Sequence, residues 1–91
     1  MTPTVVLYAR PGCGLCRRAR EDLERERRRS AFELVEVDVS ADEELERAYG
    51  IRIPVVCLDG EELFEIEVDR KVLRRALRAR RARLSAPPAH C

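Results

Sequence analysis

The stretch VVLYARPGCGLC, residues 5–16, decides the fold class because it leads from a buried strand to two closely spaced cysteines. Residues Thr4–Ala9, which include the start of this stretch, are rich in β-branched and aromatic residues and show no clear alternation of apolar and polar side chains. This pattern is typical of a strand that is buried on both faces. Pro11 and Gly12 are turn residues that end the strand. The segment therefore predicts a strand, a tight loop and the start of a helix.

The two cysteines stand at the predicted N-terminus of this helix. Cys16 shares an apolar stripe with Ala19 and Leu23, so we expect its sulfur to be buried. Cys13 precedes the stripe, and we expect its sulfur to be exposed. Unpaired backbone amides at a helix N-terminus, with cations such as Arg17 nearby, stabilise a thiolate. The pattern predicts that Cys13 attacks disulfides and that Cys16 resolves the mixed disulfide.

The remainder of the chain continues as alternating strands and helices. The predicted elements are a strand over 32–39, a short helix to Tyr49, a strand over Val55–Leu58, a turn at Asp59-Gly60, a strand over 63–66, and a helix from Asp69 onward. Ser40 is the predicted N-cap of the short helix, and Glu43 completes a capping box. The order β-α-β-α-β-β-α predicts an α/β, thioredoxin-like domain, a four-stranded mixed sheet flanked by helices. We expect residues 1–84 to form this domain and residues 85–91 a disordered tail.

Pro54 opens the predicted third strand, where it costs no ladder hydrogen bond. That strand should run antiparallel to the first, so its start should lie at the sheet edge that carries Cys13. This position predicts a cis peptide bond between Ile53 and Pro54, with a plain edge-strand proline as the alternative. The backbone groups of Ile53 would then pair with an extended substrate.

Residues 5–16 closely resemble the active-site strand and loop of glutaredoxins, and the Ile53-Pro54-Val55 segment resembles their cis-proline strand start. The resemblance covers roughly residues 4–80 in pattern. It implies a thiol–disulfide oxidoreductase with a dithiol mechanism and a redox-active disulfide between Cys13 and Cys16. The substrate-contacting positions that it implies are Arg10, Gly14, Leu15, Ile53, Pro54 and Asp69, with Arg10 placed to bind a glutathione carboxylate.

Two departures from the glutaredoxin pattern bear on the co-substrate. Gly14-Leu15 replaces the usual Pro-Tyr between the cysteines. The stretch 67–70 keeps an acid at Asp69 but lacks the glycine pair that usually precedes it at the γ-glutamyl site. These departures leave the identity of the thiol open. The expectation is no bound cofactor, and glutathione or another low-molecular-weight thiol as co-substrate. The expected partners are disulfide-containing proteins or small thiols, with a reductase or thiol that recycles the disulfide.

The charge distribution supports a second hypothesis. The net charge is +1, yet residues 70–91 hold eight of the 18 basic residues and none of the 17 acids. A non-enzymatic binding module could dock an anionic partner on the helix over 70–83, with the cysteines structural or zinc-binding. The helix has no interleaved aromatic residues, which argues against nucleic acid.

The cysteine count and the N-terminus favour a cytoplasmic location, and the expected state is a monomer. The opening residues do not resemble a signal peptide, and no segment resembles a membrane span. In a reducing compartment, four cysteines are more often catalytic or metal-binding than structural. The redox context of Cys13 and Cys16 favours no metal. Cys57 is predicted to be a free thiol in the core, Cys91 an incidental exposed thiol, and His90 to have no role.

Overall fold

Strands and helices follow one another in the predicted order. The structure is a computed structural model that describes residues 2–82, the last two of them by their backbone alone. Its elements are β1 (Thr4–Ala9), α1 (Gly14–Arg29), β2 (Glu33–Asp38), α2 (Glu43–Tyr49), β3 (Val55–Leu58), β4 (Glu61–Glu65) and α3 (Arg70–Ala82), with a 3-10 turn at Val39–Ala41 between β2 and α2.

The four strands form one mixed sheet in the order β2-β1-β3-β4. β1 pairs parallel to β2 and antiparallel to β3, and β4 returns antiparallel to β3. The turn between β3 and β4 has Asp59 at φ 48° and Gly60 at φ 84°. Two consecutive left-handed residues are what a tight hairpin requires, so the Asp-Gly signal is confirmed.

The central strand β1 is covered on both faces because its side chains alternate between two helical layers. Val5, Leu7 and Ala9 pack with the buried faces of α1 and α3, whereas Tyr8 packs with residues near α2. Leu7 is fully buried, and burying such a side chain contributes about 1.5–3 kcal/mol. Other fully buried residues of the α1–α3 layer include Cys16, Leu23, Val56 and Leu73.

Helix α2 begins differently from the prediction. Ser40 lies in the 3-10 turn, and Asp42 is the N-cap, its Oδ1 accepting hydrogen bonds from the Glu44 and Leu45 amides at 2.8 and 3.4 Å. The prediction of Ser40 as N-cap was wrong because Asp38 engages it first, accepting from both its amide and its hydroxyl. A capping-box spacing cannot distinguish these competing local hydrogen bonds.

Strand β4 starts two residues earlier than predicted and ends at Glu65 instead of Ile66. The chain turns away at Ile66, whose φ is 72°, far from extended backbone. The start of β4 at Glu61 follows directly from the tight turn, because a two-residue loop leaves no unpaired residues.

Cys57 also differs from the prediction. It is fully buried on the α2 face, as expected, but it is disulfide-bonded, so the prediction of a free thiol was wrong. Disulfide pairing depends on which chain segments meet in space, which a local pattern does not reveal. The predictions for the boundary at residue 84, the tail 85–91, His90 and Cys91 lie outside the described residues. Over residues 2–82, no helix is long and apolar enough to span a membrane.

Candidate active site

Cys13 is the N-cap of α1, at the point where β1 has ended and the helix begins. Gly12, at φ 78°, turns the chain between the two elements. The Cys13 Sγ accepts a hydrogen bond from the Cys16 amide at 3.2 Å, and its carbonyl accepts from the Arg17 amide at 3.1 Å. The sulfur therefore occupies the position in which Asp or Ser oxygens usually cap a helix.

Several groups act together on the protonation of Cys13. Burial raises the pKa of the Cys13 thiol, but hydrogen bonds from the Cys16 side chain and from the Cys16 and Leu15 amides lower it. The positive charge of Arg10 lowers it further, and the net result is a pKa below the ordinary value. Such donors stabilise thiolate relative to thiol, so the thiolate fraction at neutral pH is increased.

Cys16 has the opposite environment. Its side chain is fully buried, and burial, together with the hydrogen bond and negative charge of Cys13, raises the pKa of Cys16 to about 11. The Arg10 backbone and the Arg20 charge lower it only in part. The two cysteines lie side by side and both are free, with the partly buried Cys13 sulfur activated and the fully buried Cys16 sulfur protonated.

The start of β3 and the end of β4 lie at the same sheet edge as Cys13. Tyr8, near the end of β1, pairs with Val55 at the start of β3. The Ile53–Pro54 peptide bond directly before it is cis. The Ile66 amide then donates to the Pro54 carbonyl at 2.8 Å, which brings the β4–α3 loop to this edge.

Arg10 is held by α2 and its C-terminus. Its Nη2 donates to Glu46 Oε1 at 2.6 Å and to the Gly50 carbonyl at 3.2 Å. The resemblance to glutaredoxins implies that this guanidinium binds a glutathione carboxylate, whereas in the structure it is paired with Glu46. Glu46 was missed because it lies 36 residues away, on an element whose orientation the sequence does not reveal.

Asp69 caps α3. Its Oδ1 accepts from the Lys71 amide at 2.9 Å and from the Val72 amide at 3.2 Å. The first amides of α3, which would otherwise suit an anion, are therefore satisfied within the helix. Asp69 is also a predicted substrate contact, and its carboxylate already caps this helix.

Ile66 is a feature of the site that sequence reasoning missed. A β-branched residue at φ 72° is a steric outlier, which costs of order 1–3 kcal/mol. Its side chain is 40% exposed, and that of Leu15 between the two cysteines is 44% exposed. Both line a groove of about 230 Å³ between the start of α1 and the β4–α3 loop. No local motif indicates a left-handed isoleucine, so the sequence held no signal for it.

A buried ion cluster ties α1 to α3. Glu26 is fully buried and accepts from Arg74 at 2.8 and 3.0 Å and from Arg70 at 3.2 Å. The hydrogen bonds from Arg74 lower the pKa of Glu26, burial opposes them, and Arg70 lowers it further. The signal was present in the sequence, because Glu26 continues the buried stripe three residues after Leu23.

Several arginines of the basic helix α3 make contacts within the domain. Arg70 and Arg74 are turned inward to Glu26, and Arg80 lies 4.0 Å from Asp59, so much of the basic helix is used within the domain. In the part of the chain that the structure describes, no three His, Cys, Asp or Glu side chains are grouped as metal ligands.

Comparison with known proteins identifies the family. Residues 4–78 match the family described as glutaredoxin-like domain (DUF836). Since this match spans most of the 91 residues, the chain belongs to that family. It is similar to the uncharacterized protein Rv0508 of Mycobacterium tuberculosis, with 34% identity over 94% of this chain and 92% of that protein.

Solved structures agree with this assignment. The solution structure of protein Ne2328 from Nitrosomonas europaea has a TM-score of 0.76 and 30% identity, over 85% of this chain and 93% of that one. Fasciola hepatica thioredoxin has a TM-score of 0.60 and 24% identity, over 86% and 80% of the two chains. The second likeness establishes the fold alone. The thioredoxin-like architecture predicted from the order of elements is confirmed.

Proposed function

We propose that this protein is a thiol–disulfide oxidoreductase that uses Cys13 as nucleophile and Cys16 as resolving thiol. The observation that carries the proposal is the hydrogen bond from the Cys16 amide to the Cys13 sulfur at the start of α1. This contact activates an accessible sulfur and holds a second, buried thiol beside it. Membership of a glutaredoxin-like family supports the same chemistry.

In the first step the Cys13 thiolate attacks one sulfur of a substrate disulfide. A bond forms between Cys13 Sγ and that sulfur, the substrate disulfide breaks, and the other sulfur leaves with the electron pair and takes a proton from water. Cys13 suits this step because it is the more exposed cysteine of the pair and its pKa is lowered.

In the second step Cys16 resolves the mixed disulfide. Its thiol gives up a proton, its sulfur bonds to Cys13 Sγ, and the bound substrate sulfur leaves as a thiolate that is then protonated. The charge of the Cys13 thiolate is one of the causes that raise the pKa of Cys16. Because a mixed disulfide carries no such charge, its formation lowers the pKa of Cys16 and favours resolution. The substrate gains two electrons and two protons, and the cysteine pair loses them.

Recycling needs an external reductant. We propose that a low-molecular-weight thiol, such as glutathione, attacks the accessible Cys13 sulfur of the oxidised pair. A second thiol molecule then releases Cys13 and forms the small-molecule disulfide, which restores both cysteines. This cycle needs a reducing compartment, so we expect the protein to act in the cytoplasm on disulfide-containing proteins. We expect contact with the substrate chain at the Ile53 backbone, beside Pro54.

Two cysteine variants test this function. Reduced wild-type, Cys13→Ser and Cys16→Ser proteins are mixed with bis(2-hydroxyethyl) disulfide, and after acid quenching and digestion the mass of the peptide that carries residues 13 and 16 is read. We expect the wild-type peptide to lose two mass units as the Cys13–Cys16 disulfide forms. Cys16→Ser should accumulate a mixed disulfide on Cys13, and Cys13→Ser should show neither product. Unchanged exchange by Cys13→Ser would contradict the proposal.

A further inference from the structure

Exposed apolar side chains gather around Cys13. In the described part of the chain, five large hydrophobic residues are exposed, namely Leu15, Val35, Ile51, Ile66 and Val72. Leu15 and Ile66 belong to two separate segments, the start of α1 and the β4–α3 loop, and they line the same groove. Apolar surface collected at a reaction site indicates a binding surface, whereas single exposed residues elsewhere need no explanation.

Leu15 and Ile66 border a small groove next to the reactive sulfur. The groove encloses about 230 Å³, below the roughly 300–1,000 Å³ of small-molecule sites, so its room suits a side chain better than a whole ligand. Leu15 lies two residues beyond Cys13, in the first turn of the same helix. A chain whose cysteine reaches Cys13 therefore places its neighbouring side chains over this groove.

The charges around the groove disfavour an anionic occupant. Asp22 and Glu67 line it together with a single cation, Arg18. The nearby α3 amides are already satisfied by Asp69. Glutathione has two carboxylates and one ammonium group, so this lining does not complement it. An uncharged side chain on a polypeptide meets no such penalty.

We infer that the oxidised substrate is a polypeptide disulfide with a large apolar side chain beside its reacting cysteine, and that Leu15 and Ile66 hold this side chain. The inference rests on the proposed function and identifies its substrate class. The chemistry is the two-step exchange given above, with Cys13 and Cys16 losing the two electrons that the polypeptide disulfide gains. The left-handed backbone at Ile66 is consistent with this role, because strain of that kind concentrates at functional sites.

The test compares matched substrates. Two short peptides with blocked termini, differing only in a Leu or a Ser next to the cysteine, are each oxidised to symmetric disulfides. Rate constants for exchange with the reduced protein are measured for both peptides, for glutathione disulfide and for bis(2-hydroxyethyl) disulfide. We expect the wild type to react about tenfold faster with the Leu peptide than with the Ser peptide. It should also react faster with the Leu peptide than with glutathione disulfide.

Substitutions of the groove residues test which side chains cause the preference for the Leu peptide. Ile66→Asn removes the apolar side chain while keeping a residue that tolerates left-handed backbone, and it should reduce the Leu-to-Ser ratio to about one. Leu15→Ser, whose effect on folding is independent of Ile66, should also lower the ratio. Val35→Asn is the matched control, since Val35 is 45% exposed on β2, and it should keep the wild-type ratio.

The outcomes separate the inference from the function on which it rests. A wild-type ratio near one, or a ratio that both groove variants retain, would overturn the inference while leaving the exchange chemistry intact. Faster reaction with glutathione disulfide than with the Leu peptide would overturn it as well. Failure of the wild type to react with any disulfide, bis(2-hydroxyethyl) disulfide included, would overturn the proposed function and the inference together.

Discussion

The N-termini of α1 and α3 have the same hydrogen-bonding arrangement but different capping atoms. At α3, the Asp69 carboxylate accepts from amides two and three residues ahead. At α1, the Cys13 sulfur accepts from the amide three residues ahead. A carboxylate at this position caps the helix and stabilises it. A thiol here can ionise and react.

The first turns of α1 and α2 differ in charge as well as in their capping atoms. The first turn of α1 contains no acidic residue, so nothing on the helix neutralises the field that Cys13 experiences. The first turn of α2 holds three glutamates behind its Asp42 cap, as a helix selected for stability would. The cap of α1 therefore combines helix capping with a reactive sulfur, whereas the caps of α2 and α3 are carboxylates that stabilise their helices.

Replacing the sulfur cap with a carboxylate should produce the largest effect. In Cys13→Asp, we expect disulfide exchange to fall to the uncatalysed rate, because the nucleophile is gone. The free energy of unfolding should rise by about 0.5–1 kcal/mol, because a charged N-cap replaces a sulfur. Urea denaturation of the reduced proteins measures this difference. A variant that is less stable than wild type would break the analogy between the two helix ends.

Helices α1 and α3 are joined through Glu26, whose loss should give the next largest effect. We expect Glu26→Gln to lower the free energy of unfolding by about 2 kcal/mol at pH 7, since charge-assisted hydrogen bonds from Arg74 and Arg70 are lost. Glu24→Gln is a matched control, because its ion pair with Arg27 is exposed and should contribute less than about 1 kcal/mol.

The contribution of Glu26 should depend on pH in a fixed direction. Its folded pKa is lowered, chiefly by Arg74, so its stabilisation is complete above the unfolded pKa of about 4.3 and is lost as pH falls through the folded pKa. The difference between wild type and Glu26→Gln should therefore be constant near neutrality and shrink below about pH 4. A difference that grows on acidification would contradict the assignment.

A smaller effect is expected from the carboxylate caps of α2 and α3. Asp69→Ala should lower the free energy of unfolding by about 1 kcal/mol, and Asp42→Ala at α2 should do the same. If Asp69 acts only on its helix, exchange with glutathione disulfide should change less than twofold. A larger loss for Asp69→Ala than for Asp42→Ala would instead establish Asp69 as a substrate contact.

Much of the fold could be predicted because its signals are local. Thr4–Ala9 and Val55–Leu58 are strands with the predicted bounds, and Asp59-Gly60 forms the tight turn. Hydrophobic patterning and turn chemistry depend on neighbours in sequence, so they can be read directly. The relative burial of Cys13 and Cys16 followed from the helical stripe in the same way.

The remaining features depend on contacts between distant segments. The pairing of Arg10 with Glu46 and the disulfide at Cys57 require knowledge of which elements meet. The left-handed Ile66 arises because the chain must leave β4 while its amide stays bonded to Pro54. No local propensity predicts these features, because each one depends on contacts that only the folded structure makes.

The most direct test of the central claim is the pH dependence of alkylation at each cysteine of the reduced protein, measured peptide by peptide by mass spectrometry. Because the pKa of Cys13 is lowered, its alkylation should reach half its maximal rate at a lower pH than that of an ordinary thiol. Cys16, with a pKa raised to about 11 and no exposed surface, should stay protected throughout the neutral range. Equal reactivity of the two cysteines, with an ordinary midpoint for both, would contradict the account.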